Sequence, residues 1–143
     1  MYENRLPAEK IEALQPGDGV LIEWSMRGFY RGPSYYAGTV VRLTPTQVVV
    51  RYMLSGVPRE ERFRRKDARL IGGGNTYAEL VDSDHPRTRT GLHRWNLAKL
   101  AARIDSLHAT WRKHGPGKLD TLRELRSTID DYLRHSTDTD PEA

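Results

Sequence analysis

The first half of the chain alternates apolar and polar side chains with the two-residue period that is typical of β-strands. Val, Ile and Thr are frequent in these runs, and Gly, Pro, Ser or Asp separate them. Because a small flat sheet would leave one face uncovered, the strands are predicted to bend into a small barrel. Five short strands are predicted: four at 18–24, 37–43, 46–53 and 61–65, and a short last one that follows a turn within 66–71.

The period changes to a helical one after Gly91, where apolar residues recur at spacings of three and four. "HGPG" at 114–117 interrupts this pattern, so two helices joined by a short turn are expected, as in an antiparallel αα-hairpin. The apolar positions are Leu97, Leu100, Ile104, Leu107 and Trp111 in the first helix, and Leu119, Leu122, Leu125, Ile129 and either Tyr132 or Leu133 in the second.

The predicted fold class is therefore α+β, with a small five-stranded bent β-barrel followed by the αα-hairpin. Glycines at 72–74 and a polar stretch around Pro86 favour a linker between them, although "TYAELV" inside it fits a further strand or a helical turn. The predicted regions are a lead-in at 1–15, the barrel at 16–72, a linker at 73–92, the hairpin at 93–135 and a disordered acidic tail at 136–143.

Composition narrows the class of protein. Hydrophobic residues make up 37% of the 143 residues and charged residues 29%, as in soluble globular proteins, and no apolar run is long enough to span a membrane. Since the sequence contains no cysteine, disulfides and thiolate zinc sites are excluded, and a cytoplasmic location is expected.

Positive charge is concentrated in the predicted barrel. Residues 1–72 contain 12 Lys and Arg against 8 Asp and Glu, a net charge of +4 that equals that of the whole chain. In "REERFRRKDAR" at 59–69, Phe63 is expected to point inward, while Arg62, Arg64 and Lys66 form an outward row with neighbours about 7 Å apart. Such a row, extended by Arg65, suits nucleic-acid phosphates. It also suits a solvated edge strand that charge protects from aggregation.

The segment "WSMRGFYRGPSYYAG" at 24–38 holds five of the twelve aromatic residues within a predicted loop. Aromatic rings next to arginines suit stacking on bases combined with phosphate contacts. Trp24 continues the inward row of its strand, and one of the two adjacent tyrosines must also face inward if the segment is extended. The loop therefore forms either a recognition surface or a self-packed cover, and its candidate binding residues are Arg27, Phe29, Tyr30, Arg31, Tyr35 and Tyr36.

The sequence offers no catalytic constellation, and a non-enzymatic protein without a cofactor is expected. The five histidines never fall three or four residues apart, so no helical metal pair is predicted. "IGGGN" at 71–75 has neither the Lys-Ser/Thr of a phosphate loop nor a dinucleotide fingerprint.

The barrel segment 15–72 resembles small-barrel modules of the KOW and Tudor type. A Gly-Asp turn opens the first strand, a long loop follows, and a Gly-x-Val strand leads into a hairpin; the matching residues are Gly17, Asp18, Val20, Gly38, Val40 and Val48 to Val50. This resemblance implies a module that binds nucleic acid or a protein tail through its first loop and adjacent strands. Since Glu23 alone among acidic residues lies near the loop, a methyl-reading aromatic cage is not expected.

Two hypotheses of function follow. In the first, nucleic acid binds the basic row and the aromatic loop. In the second, the protein is an interaction adaptor, for example a phage or mobile-element accessory protein, which holds a partner through the loop or through Trp95, Ala98 and Ala102 of the hairpin. The hairpin is expected to pack on the barrel or on a second copy in a homodimer, and no membrane partner is expected.

Overall fold

The computed structural model describes residues 3–26, 32–74, 76–114 and 119–136. It confirms the α+β class: a bent, five-stranded antiparallel half-barrel is followed by a helical hairpin. The chain divides into two compact units, Met1–Gly91 and Leu92–Ala143. The elements are α1 (Ala8–Glu12), β1 (Gly19–Met26), β2 (Ser34–Leu43), β3 (Gln47–Leu54), β4 (Val57–Arg64), β5 (Thr76–Val81), α2 (Pro86–His114) and α3 (Leu119–Ser136).

The sheet has the strand order β4-β3-β2-β1-β5, and all neighbouring strands are antiparallel. β2 and β3 form the predicted hairpin, with a bulge between Val40 and Arg42. β3 and β4 are joined by Ser55 and Gly56, whose φ angles of 52° and 78° give the left-handed backbone that two-residue hairpin turns require.

The core lies on the concave side of the curled sheet. Along each strand, every second side chain points towards it. Gly38 lets the strands approach closely here, because a Cβ at this position would lie 2.5 Å from Cγ1 of Val50. The largest fully buried side chains of the core are Ile22, Val40, Val48, Val50, Phe63 and Leu80.

The last strand differs from the prediction. The segment 66–71, expected as a turn and a short last strand, contains the turn, where Ala68 has a φ of 60°, but forms only two isolated bridges in place of the strand. Its backbone nevertheless joins both edges of the sheet: Ile71 N–H donates to the carbonyl of Arg62 on β4, and Leu70 N–H donates to that of Ala78 on β5. The turn at Ala68 leaves too few extended residues for a strand, so this short segment connects the two edge strands.

The fifth strand is instead β5, which lies within the predicted linker 73–92. It pairs with β1 over six residues. The segment "TYAELV" allowed either a strand or a helical turn, and the pairing with β1, which is distant in sequence, selects the strand. The same linker also contains the start of α2, since Pro86 opens the helix rather than preventing it. Proline suits the first helical position because the N–H that it lacks has no helical partner there.

The second unit consists of most of α2 together with α3, which form a contacting pair. Leu107 is its most buried apolar residue, and an ion pair between Arg103 and Glu124 connects the two helices. Leu97, Leu119, Leu122 and Leu133 remain exposed despite their places in the apolar pattern. The predicted tail beyond Ser136 lies outside the described residues.

Candidate nucleic-acid interface

β4 carries two of the predicted binding arginines on its outer side. Phe63 is fully buried in the core, and Arg62 and Arg64 on either side of it are exposed, as strand alternation predicted. Arg64 is paired with Asp67, with 2.8 Å between Nη2 and Oδ2. Arg62 makes no ion pair with any other described residue. The guanidinium of Arg62 is therefore the more accessible of the two for an anionic ligand.

The row does not continue straight from Arg64 to Lys66, because the chain turns after β4. Arg65 folds back towards the β2–β3 turn, where its Nη1 donates a 2.9 Å hydrogen bond to the carbonyl of Thr44. Lys66 is exposed and lies beside Glu12 and Thr46 at a shallow depression. The side chain of Arg65 thus stabilises the β2–β3 turn. Lys66 adds a positive charge just beyond the end of β4.

The structure adds two arginines that the sequence analysis did not select. Arg42 on β2 and Arg51 on β3 are exposed on the same side of the sheet as Arg62, and both contact Glu60 of β4, at 3.2 and 3.5 Å. Arg42 and Arg62 are both register partners of Val49, so these three residues lie side by side across the strands. We call Arg42, Arg51, Arg62 and Arg64 the basic face.

The basic face retains a positive excess. Its four guanidinium groups are opposed by the carboxylates of Glu60 and Asp67, which leaves a net charge of +2 for these six side chains. Ion pairs between exposed side chains are weak, of about 0–1 kcal/mol, so an incoming phosphate can compete with these carboxylates. Arg42 and Arg51 could have been identified from their outward positions on β2 and β3. Those positions form one surface with Arg62 only when the three strands are aligned in register.

The two tyrosines of β2 that were predicted as stacking residues lie on opposite faces of the sheet. Tyr36 packs against the core, with its ring centroid 5.8 Å from that of Tyr52. Tyr35, on the opposite face, is only 6% exposed, and its hydroxyl donates a 2.8 Å hydrogen bond to Oε2 of Glu23. Burial and this bond raise the pKa of Tyr35. The ring of Tyr35 is therefore covered and that of Tyr36 is partly buried, and their role in stacking stays a prediction. Arg27, Phe29, Tyr30 and Arg31 lie outside the described residues.

A second polar cluster lies on the outer side of β1 and β5. Glu23 and Glu79 are direct register partners there. The side chain of Asn4, almost fully buried, donates from Nδ2 to Oε2 of Glu23 at 2.9 Å and to Oγ1 of Thr88 at 3.1 Å. Sequence reasoning missed Asn4, Glu79 and Thr88 because they come from three distant segments that only the folded chain brings together.

Glu79 has an altered acidity in this cluster. It is 7% exposed, and burial together with the negative charge of Glu23 raises the pKa of its carboxyl group. The guanidinium of Arg5, at 3.8 Å, acts in the opposite direction. Glu23 and Glu79 also line a cleft of about 390 Å³. The other charged residues that line it are Arg64, Arg69 and Arg87.

The residues proposed for a protein contact lie on α2. Trp95 is half-buried, with the ammonium of Lys99 5.9 Å from its ring centroid, and Ala98 and Ala102 are exposed. The described residues include no group of three or more His, Asp or Glu side chains that is arranged to hold a metal ion. In the same ranges, no helix has the length and apolar character needed to cross a membrane.

Comparisons with known proteins add no identification. No family model matches the sequence, and neither a curated protein nor a solved structure matches the chain. The resemblance to KOW and Tudor modules therefore stays a prediction.

Proposed function

We propose that this protein is a non-enzymatic nucleic-acid-binding protein whose basic face holds the phosphate backbone. The observation that carries the proposal is the alignment of Arg42, Arg51, Arg62 and Arg64 on the outer side of three adjacent strands. Arginine suits this role because its planar guanidinium can bind a phosphate through two parallel hydrogen bonds.

The dimensions of the basic face support the proposal. Adjacent strands are separated by about 4.8 Å, and alternate residues on one strand by about 6.6 Å. Arg62 and Arg64 on β4 are therefore about 6.6 Å apart, on the scale of successive phosphates in a nucleic acid, and Arg42 lies two strands away, about 9.6 Å from Arg62. Lys66 adds a further charge beyond Arg64. In this proposal the loop residues Arg27, Phe29, Tyr30 and Arg31 supply additional phosphate and stacking contacts.

The test measures fluorescence anisotropy of a labelled duplex and a matching single strand, titrated with the whole protein in 50 mM salt. The variant R42Q/R51Q/R62Q removes three charges from the basic face. We expect it to lose roughly a hundredfold in affinity, since each phosphate contact contributes on the order of 1 kcal/mol or more at low salt. Unchanged affinity in this variant would overturn the proposal.

A matched variant controls for net charge. R112Q/R123Q/R126Q removes three exposed positive charges from the helices of the second unit. It should retain affinity within about threefold, because the proposal assigns the phosphate contacts to the basic face and not to the net charge of the protein. An equal loss in both variants would mean that net charge, rather than the basic face, causes binding.

One observation favours a second candidate function, that of an adaptor for a protein partner. Leu119 and Leu133 are 59% and 54% exposed, and apolar residues at such positions are common in binding surfaces. Trp95, Ala98 and Ala102 would then contribute to the contact. Replacing Leu119 and Leu133 by Gln should leave nucleic-acid binding unchanged under the first proposal and should abolish partner binding under the second.

A further inference from the structure

The exposed leucines of α3 form a regular pattern along one side of the helix. Leu119 and Leu133 are two heptads apart, and Leu122 and Ile129 are one heptad apart, so the four occupy the positions that pack against a neighbouring helix in a coiled coil. Leu119, Leu122 and Leu133 are 59%, 46% and 54% exposed, and Ile129 is half-buried. We call these four residues the apolar row of α3.

A different side of α3 is covered within the chain. Leu125, Thr128 and Tyr132 follow one another at spacings of three and four, and all three are half-buried. At 100° per residue, they lie about 100° around the helix from the apolar row. α3 therefore has the pattern of a bundle helix with two neighbours, of which α2 is one. The apolar row is the side that remains for the second neighbour.

Two charged residues flank the apolar row in a symmetric arrangement. Arg123 directly follows Leu122, and Asp130 directly follows Ile129, so the two charges lie on the same edge of the row, two helical turns apart. Their side chains are 75% and 56% exposed. The ion pairs that both make within α3 join exposed side chains and are therefore weak, so another charged group can compete for them.

A second copy of α3 that runs antiparallel to the first would match both the apolar and the charged pattern. With Leu122 of one copy opposite Leu133 of the other, Arg123 faces Asp130 of the second copy, and two-fold symmetry repeats both contacts. In a parallel arrangement, Arg126 at the centre of the row would lie opposite Arg126 of the second copy, and the like charges would repel each other. The row is thus self-complementary in the antiparallel direction, as a contact between identical chains requires.

We infer that the protein forms a homodimer through the apolar row of α3, with the two helices antiparallel and Arg123 of each copy paired with Asp130 of the other. The inference goes beyond the proposed function and does not rest on it, because the contact lies outside the basic face. It competes with the second candidate function, since a dimer covers the leucines that an adaptor would use. The contact involves one helix of 18 residues, about 27 Å long, so a dissociation constant on the order of 1–100 micromolar is expected.

Sedimentation equilibrium of the whole protein over about 1–500 micromolar brackets this dissociation constant and tests the inference. R123D and D130R each place two pairs of like charges across the symmetric contact, and each should weaken the dimer roughly tenfold or more. L122Q/L133Q removes four leucines from the dimer and should be monomeric over the whole range. A monomeric unmodified protein, or a dimer that R123D and D130R leave unchanged, would overturn the inference.

An equimolar mixture of R123D and D130R tests the antiparallel register. Across a mixed dimer, each introduced charge faces a charge of opposite sign, so the mixture should dimerise about as tightly as the unmodified protein. Changes confined to one helix cannot produce this rescue, because both variants carry them in the mixture as well. Absence of rescue, with the helix content of both variants verified by circular dichroism, would overturn the inference.

D131R is the matched control for the change of charge. Asp131 is adjacent to Asp130 but lies on the side of α3 opposite the apolar row, with its side chain 60% exposed. The dissociation constant of D131R should stay within about twofold of that of the unmodified protein, as for surface substitutions outside a contact. Equal weakening by D131R and D130R would mean that net charge, rather than the assigned pair, controls dimerisation, and would overturn the inference.

Discussion

Glu23 on β1 and Glu79 on β5 lie directly opposite each other, on the same side of two paired antiparallel strands. Carboxylates in this arrangement repel each other when both are ionised. Asn4 and Tyr35 both donate hydrogen bonds to Oε2 of Glu23. Glu79 is buried and accepts fewer hydrogen bonds than Glu23. The repulsion between the two carboxylates therefore disfavours the ionised form of Glu79.

The raised pKa of Glu79 predicts a specific dependence of stability on pH. Its ordinary value is 4.5, and in the folded protein the pKa is higher. As pH rises from below 4.5 through the folded pKa, the unfolded state releases the proton more readily, so the folded state loses stability. E79Q removes this loss. We expect its Tm, relative to that of the unmodified protein, to increase as pH rises above 4.5 and to level off once pH exceeds the folded pKa.

Thermal unfolding followed by circular dichroism across this pH range measures the difference. E9Q is the matched control for the Glu-to-Gln change itself, because Glu9 is an exposed glutamate on α1. A Tm of E79Q that falls relative to the unmodified protein as pH rises would mean that ion pairing with Arg5 outweighs burial.

Gly38 predicts a second effect on stability. Because a Cβ at this position would lie 2.5 Å from Cγ1 of Val50, Gly38→Ala must displace a core side chain. Overpacking of this kind costs about 1–3 kcal/mol in the free energy of unfolding. Urea unfolding measures it, and the same substitution should cost less in a Val50→Ala background, where the displaced methyl group is absent.

Gly19 is the matched control, since it also lies at a sheet position and has nothing within 4 Å of its would-be Cβ. Gly19→Ala should leave the free energy of unfolding unchanged or raise it by up to about 1 kcal/mol. Equal costs at both positions would show that strand backbone, rather than the contact with Val50, is responsible.

Arg65 and Lys66 are adjacent in sequence, and they are predicted to differ in effect. Arg65→Ala removes the hydrogen bond to the carbonyl of Thr44 and should lower the free energy of unfolding by about 1 kcal/mol. Lys66→Ala should change it by less than about 0.5 kcal/mol, because the side chain is exposed. Chemical denaturation of both variants measures the two changes in the free energy of unfolding. A larger loss for Lys66→Ala than for Arg65→Ala would contradict this prediction.

Local periodicity was sufficient to predict most of the fold. The two-residue alternation located β1, β2, β3 and β4 because each has one side chain row in the core, as at Phe63. β5 was left open, since its position depends on pairing with β1 rather than on its own pattern. Pro86 was misinterpreted because its effect depends on whether it stands at the first position of a helix or inside it.

The candidate sites were less predictable than the fold. Arg62 and Arg64 could be selected because alternation within one strand places them outward. Arg42 and Arg51 required the register of three strands, and a bulge in β2 alters that register before Arg42. Tyr35 shows the limit of a one-strand argument: it points away from the core and is still buried, and its hydroxyl bonds to Glu23.

The salt dependence of nucleic-acid binding tests the central claim most directly. The slope of log K against log salt concentration is about −0.9 for each phosphate contact on duplex DNA. If the basic face makes about four such contacts, affinity should fall roughly a hundredfold between 50 and 200 mM salt, and R62Q alone should make the slope about 0.9 less negative. A slope near zero, or one that R62Q leaves unchanged, would contradict the assignment of phosphate binding to the basic face.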